Sequence, residues 1–203
     1  LSVNDYFKKY CIGMSGTGGS RDLYITSDPY ASSLLKPLPQ NLPEDQRVRY
    51  ETVKIEKIET KRANHLLDIT GVKFNWIKID TQGLEGEIIK DLSLDEEVVL
   101  IIAELSQVEQ YEGQILMGSI VEYLAKQHFY PMKITYKHNM PFEHDVFFIK
   151  DPRFLETHSE IFAAAAAHLI FGESLKDAFS LLIHSSGYLS GFTILAKFVL
   201  YKI

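Results

Sequence analysis

Trp76-Ile77-Lys78-Ile79-Asp80-Thr81-Gln82-Gly83-Leu84-Glu85-Gly86-Glu87-Ile88-Ile89-Lys90-Asp91-Leu92 reads "WIKIDTQGLEGEIIKDL", a strand, a turn and a helix in one stretch. Phe74 to Asp80 is mostly apolar and ends in an acid. Leu84 to Leu92 then places Leu84, Ile88 and Leu92 on one helical face, with Glu85 and Glu87 early and Lys90 late, as the helix dipole prefers. An acid at the C-terminal end of a buried parallel strand, followed by a glycine turn into a helix, sits where open α/β sheets place ligands. Asp80 can accept hydrogen bonds or assist proton transfer there. It can equally cap the helix after the turn. The residues alone leave both readings standing.

Downstream the α/β pattern continues. "VVLIIAEL", Val98 to Leu105, is nearly all apolar until Glu104 and reads as a strand buried on both faces of a parallel sheet. "MGSIVEYLAKQ" repeats the helix stripe with Met117, Ile120, Val121 and Leu124. "YPMKITYK" and "HDVFFIK" come next as two closing strands joined through Asn139-Met140-Pro141, and Phe142, Phe147 and Phe148 read as core. The order predicts a doubly wound sheet finishing in an antiparallel pair. Residues 153–203 break this rhythm and suggest three short helices, Ile161 to Phe171, Leu175 to His184 and Phe192 to Tyr201. Their apolar faces need a surface, because isolated helices under about 12–15 residues are marginal in water. The expectation is packing on the sheet or on a second copy, as a roof over an acceptor pocket or as a dimer contact. The chain thus divides into an α/β domain over 1–151 and a helical segment over 152–203.

Upstream stands "GMSGTGGS", Gly13 to Ser20. A phosphate-binding loop needs a helix next, because the anion rests on N–H groups at a helix N-terminus. The next residues, Arg21 to Thr26, form a short β-prone run instead, and no Lys-Ser or Lys-Thr pair is present. The loop therefore reads as a hairpin connection. Asp28 to Glu44 contains Pro29, Pro37, Pro39 and Pro43, too many for a helix or central strand, and its Ser32 to Leu35 reads as solvated loop. Arg49 to Glu59 alternates charged and apolar residues, as a strand with one wet face does. "KRANHLLDITG" predicts one or two helical turns ending at Gly71.

The composition sets outer bounds. A formal charge of −6 argues against a general nucleic-acid binder. The single Cys11 allows no internal disulfide and fits a reducing, cytoplasmic setting. No apolar run approaches the roughly 18–20 residues of a membrane span. No HxH, HExxH or paired-Cys spacing points to a metal, and Ser185-Ser186-Gly187 lacks the GxSxG elbow of serine hydrolases. His144 is a candidate general base near the sheet edge, against the commoner outcome of an exposed loop histidine. Glu104 can orient a hydroxyl or be a buried acid paired with a neighbouring donor.

The stretch around Asp80 resembles the signature of FkbM-type S-adenosylmethionine-dependent methyltransferases, in which a Lys-Ile-Asp strand precedes a Gly and a Glu. Gln82 stands where many members have Glu, which puts any role for that carboxylate in doubt. The likeness extends through Glu104, "YEGQ" at Tyr111 to Gln114, and Asp145. Upstream it takes in "CIGMSG", "DLYIT", "SSLLKP" and "VKIEKIET", so that it covers about residues 7 to 151. It implies a Rossmann-like class I methyltransferase fold and transfer from S-adenosylmethionine to a hydroxyl of a small-molecule acceptor, a sugar or secondary metabolite. On this view Asp80, Glu104 and His144 serve catalysis, and Gly13, Ser15, Asp80 and Gln82 contact the cofactor. The family's glycine-rich cofactor loop and ribose-binding acid lie upstream of its third strand, here matched to Tyr10 to Met14. The chain is thus expected to lack that N-terminal half. The alternative is an inactive methyltransferase-like module for binding or assembly, self-associating through residues 153–203.

Overall fold

The structure, a computed structural model, describes residues 9–94, 97–137, 140–172, 174, 176–178 and 180–181. Strands β1 (Gly13–Ser15), β2 (Gly19–Thr26) and β3 (Thr52–Arg62) form a three-stranded sheet in the order β1-β3-β2. Strands β4 (Trp76–Ile79), β5 (Leu100–Ser106), β6 (Phe129–Lys137) and β7 (Met140–Lys150) form a second sheet in the order β4-β5-β7-β6. The helices are α1 (Glu44–Arg47), α2 (Leu66–Thr70), α3 (Glu85–Asp91), α4 (Met117–Lys126) and α5 (His158–Ile170). Both sheets are mixed, and the chain is α/β.

In the second sheet β4 and β5 are parallel, while β7 runs antiparallel to both β5 and β6. The crossovers β4-α3-β5 and β5-α4-β6 therefore move the same way across the sheet. Right-handed crossovers in one direction put their helices on one face. Ile88 and Ile89 of α3 and Ile120 and Leu124 of α4 accordingly share a core with Ile79, Ile101, Ala103, Val146 and Phe148. The predicted stripes hold, with Ile89 (0% exposed) added to that of α3. The strand order does not reverse among the described residues, so the doubly wound arrangement is not displayed there.

The opposite face is covered by α5. Ala164 and Ala167 pack on Leu100 and Ile149, with Trp76, Ile102 and Phe147 around them. Thr157 and Glu160 form a capping box at its start, and Glu160 also reaches Lys150 at 3.0 Å in a buried ion pair. Trp76 Nε1 donates to the Ala163 carbonyl at 3.1 Å. These contacts involve the starts of β4 and β5 and the end of β7, the sheet edge opposite Asp80. The expectation that residues 153–203 pack on the sheet holds for α5, but α5 does not roof the C-terminal edge. The predicted helix Phe192 to Tyr201 and the end of Leu175 to His184 lie outside the described residues.

Three upstream expectations need correction. The strands around the glycine-rich loop are not a hairpin: β1 pairs parallel and β2 antiparallel with β3, which lies between them. The run Tyr10 to Met14 is accordingly no strand of the larger sheet; only Gly13–Ser15 is extended and paired. The alternation in β3 also misleads. Val53 and Ile55 are odd-numbered and Ile58 even-numbered, so a period of two sends them to opposite faces. Val53 and Ile55 face outward at 65% and 55% exposure, while Glu56, Ile58 and Thr60 line the inner side.

Candidate functional site at the ends of β4 and β5

The turn leaving β4 is shaped by a carboxylate from the helix it feeds. Glu85 Oε1 accepts from the Thr81 amide at 2.7 Å, and its Oε2 accepts from the Gly83 amide at 2.9 Å. Burial pushes the Glu85 carboxyl above the usual range, while these hydrogen bonds pull it back. Leu84, at the N-cap of α3, has no capping side chain, and the Glu85 carboxylate reaches back to the amides of the turn that precedes it. The turn is tight. Gln82 sits in the left-handed region at φ 53°, uncommon for a residue with a side chain, and Gly83 comes next at φ 98°. A Cβ on Gly83 would lie 2.7 Å from the Tyr111 ring.

With the backbone so held, the side chains of the turn face the strand ends. Lys78 Nζ pairs with Asp80 Oδ2 at 2.7 Å. Gln82 Nε2 donates to Asp80 Oδ1 at 3.3 Å and to Glu104 Oε2, at the end of β5, at 3.2 Å. The Tyr111 hydroxyl shares its proton between the Ala31 carbonyl (3.0 Å) and Gln82 Oε1 (3.2 Å). Ser33 Oγ donates to the Gln82 carbonyl at 2.5 Å. Beyond Glu104, Gln110 Nε2 donates to Glu143 Oε1 at 2.7 Å.

This edge is walled by the proline-rich segment. Leu38 and Glu112 amides tie it to the loop after β5 by bonds to Gln110 and Lys36 carbonyls, each 2.8 Å. Ala31, Leu42, Tyr50, Tyr111 and Met140 form a small core there. Burial pushes the Tyr50 phenol up to about 12 and raises that of Tyr111 as well, so both are neutral at physiological pH.

Of the predicted residues, the structure joins Asp80, Gln82 and Glu104 through one amide. Asp80 does not cap α3; its carboxylate is engaged by Lys78 and Gln82. Glu104 has the neighbouring donor expected for a buried acid, and that donor is Gln82. His144 is neither in a loop nor exposed. It is buried within β7 opposite Leu105 and Tyr136, and neither ring nitrogen has a hydrogen-bond partner. Gly13 and Ser15 belong to the other sheet. Ser15 Oγ is taken up by Thr60 Oγ1 (3.0 Å) and the Gly18 amide (2.8 Å).

The glycine-rich loop does hold an anion on its backbone, but an internal one. The Gly16 amide donates to Glu87 Oε1 at 2.8 Å, and Arg21 pairs with the same oxygen at 3.0 Å. A Cβ on Gly16 would lie 2.6 Å from the Glu87 carbonyl oxygen, so glycine is needed for this approach to α3. Sequence reasoning missed Ser33, which reads as solvated loop and is in fact buried against Gln82. Tyr111 and Glu85 had no role in that reading, because the partners that give Tyr111 one are distant in the chain and Glu85 reads only as a dipole-facing acid.

Among the described residues no group of three or more His, Cys, Asp or Glu is placed to hold a metal ion, and no helix is long and apolar enough to cross a membrane. Comparison with curated proteins and with solved structures finds no match. The family model of the methyltransferase FkbM domain matches residues 2–131, and with that match over more than half its length the chain belongs to the FkbM methyltransferase family.

Proposed function

We propose that the chain is an S-adenosylmethionine-dependent methyltransferase acting on a hydroxyl of a small molecule, a sugar or secondary metabolite. The observation behind this reading is the convergence of Asp80 and Glu104, from adjacent parallel strands, on one amide at the sheet's C-terminal edge. The cofactor, when bound, supplies an electrophilic methyl on a sulfonium. The glycine-rich loop does not fit a role in holding it, since the Gly16 amide and Ser15 hydroxyl are occupied from within the protein. Gly13 and Ser15 therefore have no part in holding it. The acidic edge fits a cation in charge. Asp80, 39% exposed at its side chain, is the residue an acceptor would meet. It would accept the acceptor's hydroxyl proton or hold that hydroxyl in line, and Glu104 would orient it. Buried His144 has no place in this step.

The finer fold reading belongs to the same proposal. A Rossmann-like doubly wound sheet needs the strand order to reverse, and among the described residues β4 is the edge strand at which a reversal would begin. So does self-association through the surface of residues 153–203 that α5 does not give to its own sheet, where Phe154 and Ile170 are exposed. A cytoplasmic setting is consistent with exposed, unpaired Cys11.

The test is Asp80→Asn in the complete protein. Methyl transfer should fall at least about tenfold, the size of a positioned acid–base or orienting group, with the unfolding midpoint unchanged. Undiminished turnover would overturn the assignment of Asp80.

A further inference from the structure

A cavity of about 800 Å³ lies at the end of the second sheet away from Asp80, between the start of β6, α5 and the turn that follows α5. Its place follows from the topology. β6 runs parallel to β5, since both are antiparallel to β7, so Tyr130 and Met132 stand at the strand-start edge while Asp80 and Glu104 stand at the strand-end edge. The register slips between Pro131 and Lys133, which leaves Met132 out of the pairing. Ile161 and His168, about two helical turns apart on α5, both line the cavity. After α5 the chain folds back on the helix. The Ser174 amide donates to the His168 carbonyl at 3.1 Å, and Ser174 Oγ accepts from the Asp177 amide at 3.2 Å.

His168 is 6% exposed, yet among the described residues no group makes a hydrogen bond to its ring. Burial holds the imidazole below its ordinary titration range, with a smaller opposing pull from Asp177, so the ring is neutral and offers one donor and one acceptor. A buried polar group without a partner is costly, and small-molecule sites are typically apolar cavities with a few such groups turned into them. The rest of the wall sets the chemistry of the occupant. Met132, Leu155, Ile161 and Leu181 are apolar. Arg153 is engaged by Asp151, to which it donates from Nε at 3.0 Å and from Nη2 at 2.5 Å. Burial raises the Tyr130 phenol, which is therefore a neutral hydroxyl. Asp177 adds a negative charge at the rim, which disfavours an anion.

We propose that this cavity binds a small uncharged molecule, an apolar ring body carrying one hydroxyl, with that hydroxyl on the His168 ring. The site is separate from the acceptor edge and does not depend on the reading of Asp80. The probes are beta-naphthol, naphthalene, which lacks the hydroxyl, and beta-naphthoate, which carries a charge, each measured by equilibrium dialysis against the full chain. Naphthol should bind saturably and about three- to tenfold more tightly than naphthalene, the size of one net hydrogen bond. Naphthoate should bind more weakly than either. His168→Phe should bring naphthol down to the affinity of naphthalene and leave naphthalene bound. Ile161→Trp, which fills the cavity from its α5 wall, should abolish binding of all three probes, and Asp80→Asn should bind naphthol as wild type does. Thermal unfolding of each variant shows that it is folded, and if His168→Phe is not, Ile161→Trp and the naphthol–naphthalene difference decide. Equal affinity for naphthol and naphthalene, tighter binding of naphthoate, or unchanged binding in Ile161→Trp overturns the proposal. Loss of naphthol binding in Asp80→Asn overturns it too, by placing the probe at the acceptor edge.

Discussion

The glycine-rich loop at Gly13 to Ser20 and the turn at Thr81 to Gly83 look alike as candidates for binding, yet the structure uses them in opposite ways. Each is a glycine-containing turn leaving a strand, and each has backbone amides bound by a carboxylate of α3. Glu87 holds the first and Glu85 the second. In the first, the amides and hydroxyl are turned inward: Gly16 to Glu87, Gly18 to Ser15, and Ser15 to Thr60. In the second, Glu85 satisfies the amides from behind and thereby frees Asp80 and Gln82 to face the strand ends. A carboxylate at the back of a turn makes its front available. A carboxylate at the front uses it up.

The largest effects that would sharpen this contrast come from the two close approaches. Gly83→Ala meets Tyr111 at 2.7 Å and must also hold φ near 98°, and Gly16→Ala meets Glu87 at 2.6 Å. Each should cost about 1–3 kcal/mol in denaturant unfolding, the scale of overpacking a well-packed site. They should part in activity measured on the folded fraction, where Gly83→Ala falls and Gly16→Ala does not. Equal loss of activity in both would put the glycine-rich loop back among the functional parts.

Next comes Glu85→Ala, which leaves the Thr81 and Gly83 amides without their acceptor at a cost of about 2–3 kcal/mol. Its pH dependence has a definite sign. The folded-state pKa of Glu85 is raised above the 4.5 of an ordinary glutamate. The buried charge is therefore a penalty at neutral pH that lifts as the pH falls through the raised value toward 4.5. Wild type should gain stability over Glu85→Ala as the pH is lowered across that window, which a pair of urea titrations at neutral and mildly acidic pH would read. A gap that narrows instead would mean that the hydrogen bonds outweigh burial.

The smallest effect is expected of Glu87→Gln. The variant keeps an oxygen for the Gly16 amide and loses the charge that pairs with Arg21, a pair about a quarter exposed. About 0.5–1 kcal/mol is expected, falling with added salt, with methyl transfer unchanged. A loss of transfer without a loss of stability would break the comparison at its structural end.

The sequence by itself determined the second sheet and its helices. Apolar runs around Ile79, Ile101 and Phe148 and the stripes of α3 and α4 are local patterns, and period and length alone convert them into strands and helices. It also brought Asp80 and Glu104 to the same edge, because both end parallel strands that a helix connects. Tertiary structure decided what local patterns cannot encode. β3 inserts between the strands flanking the glycine-rich loop, a choice made by long-range pairing rather than by the loop. His144 is turned into the core by its register with Leu105, since a shift of one residue reverses a strand's faces. Ser33 and Tyr111 gain their roles from Gln82 across distant stretches of chain. The direction in which Gln82 points its amide comes from those contacts, and hydrogen-bond partners so far apart in sequence leave no periodic trace in it.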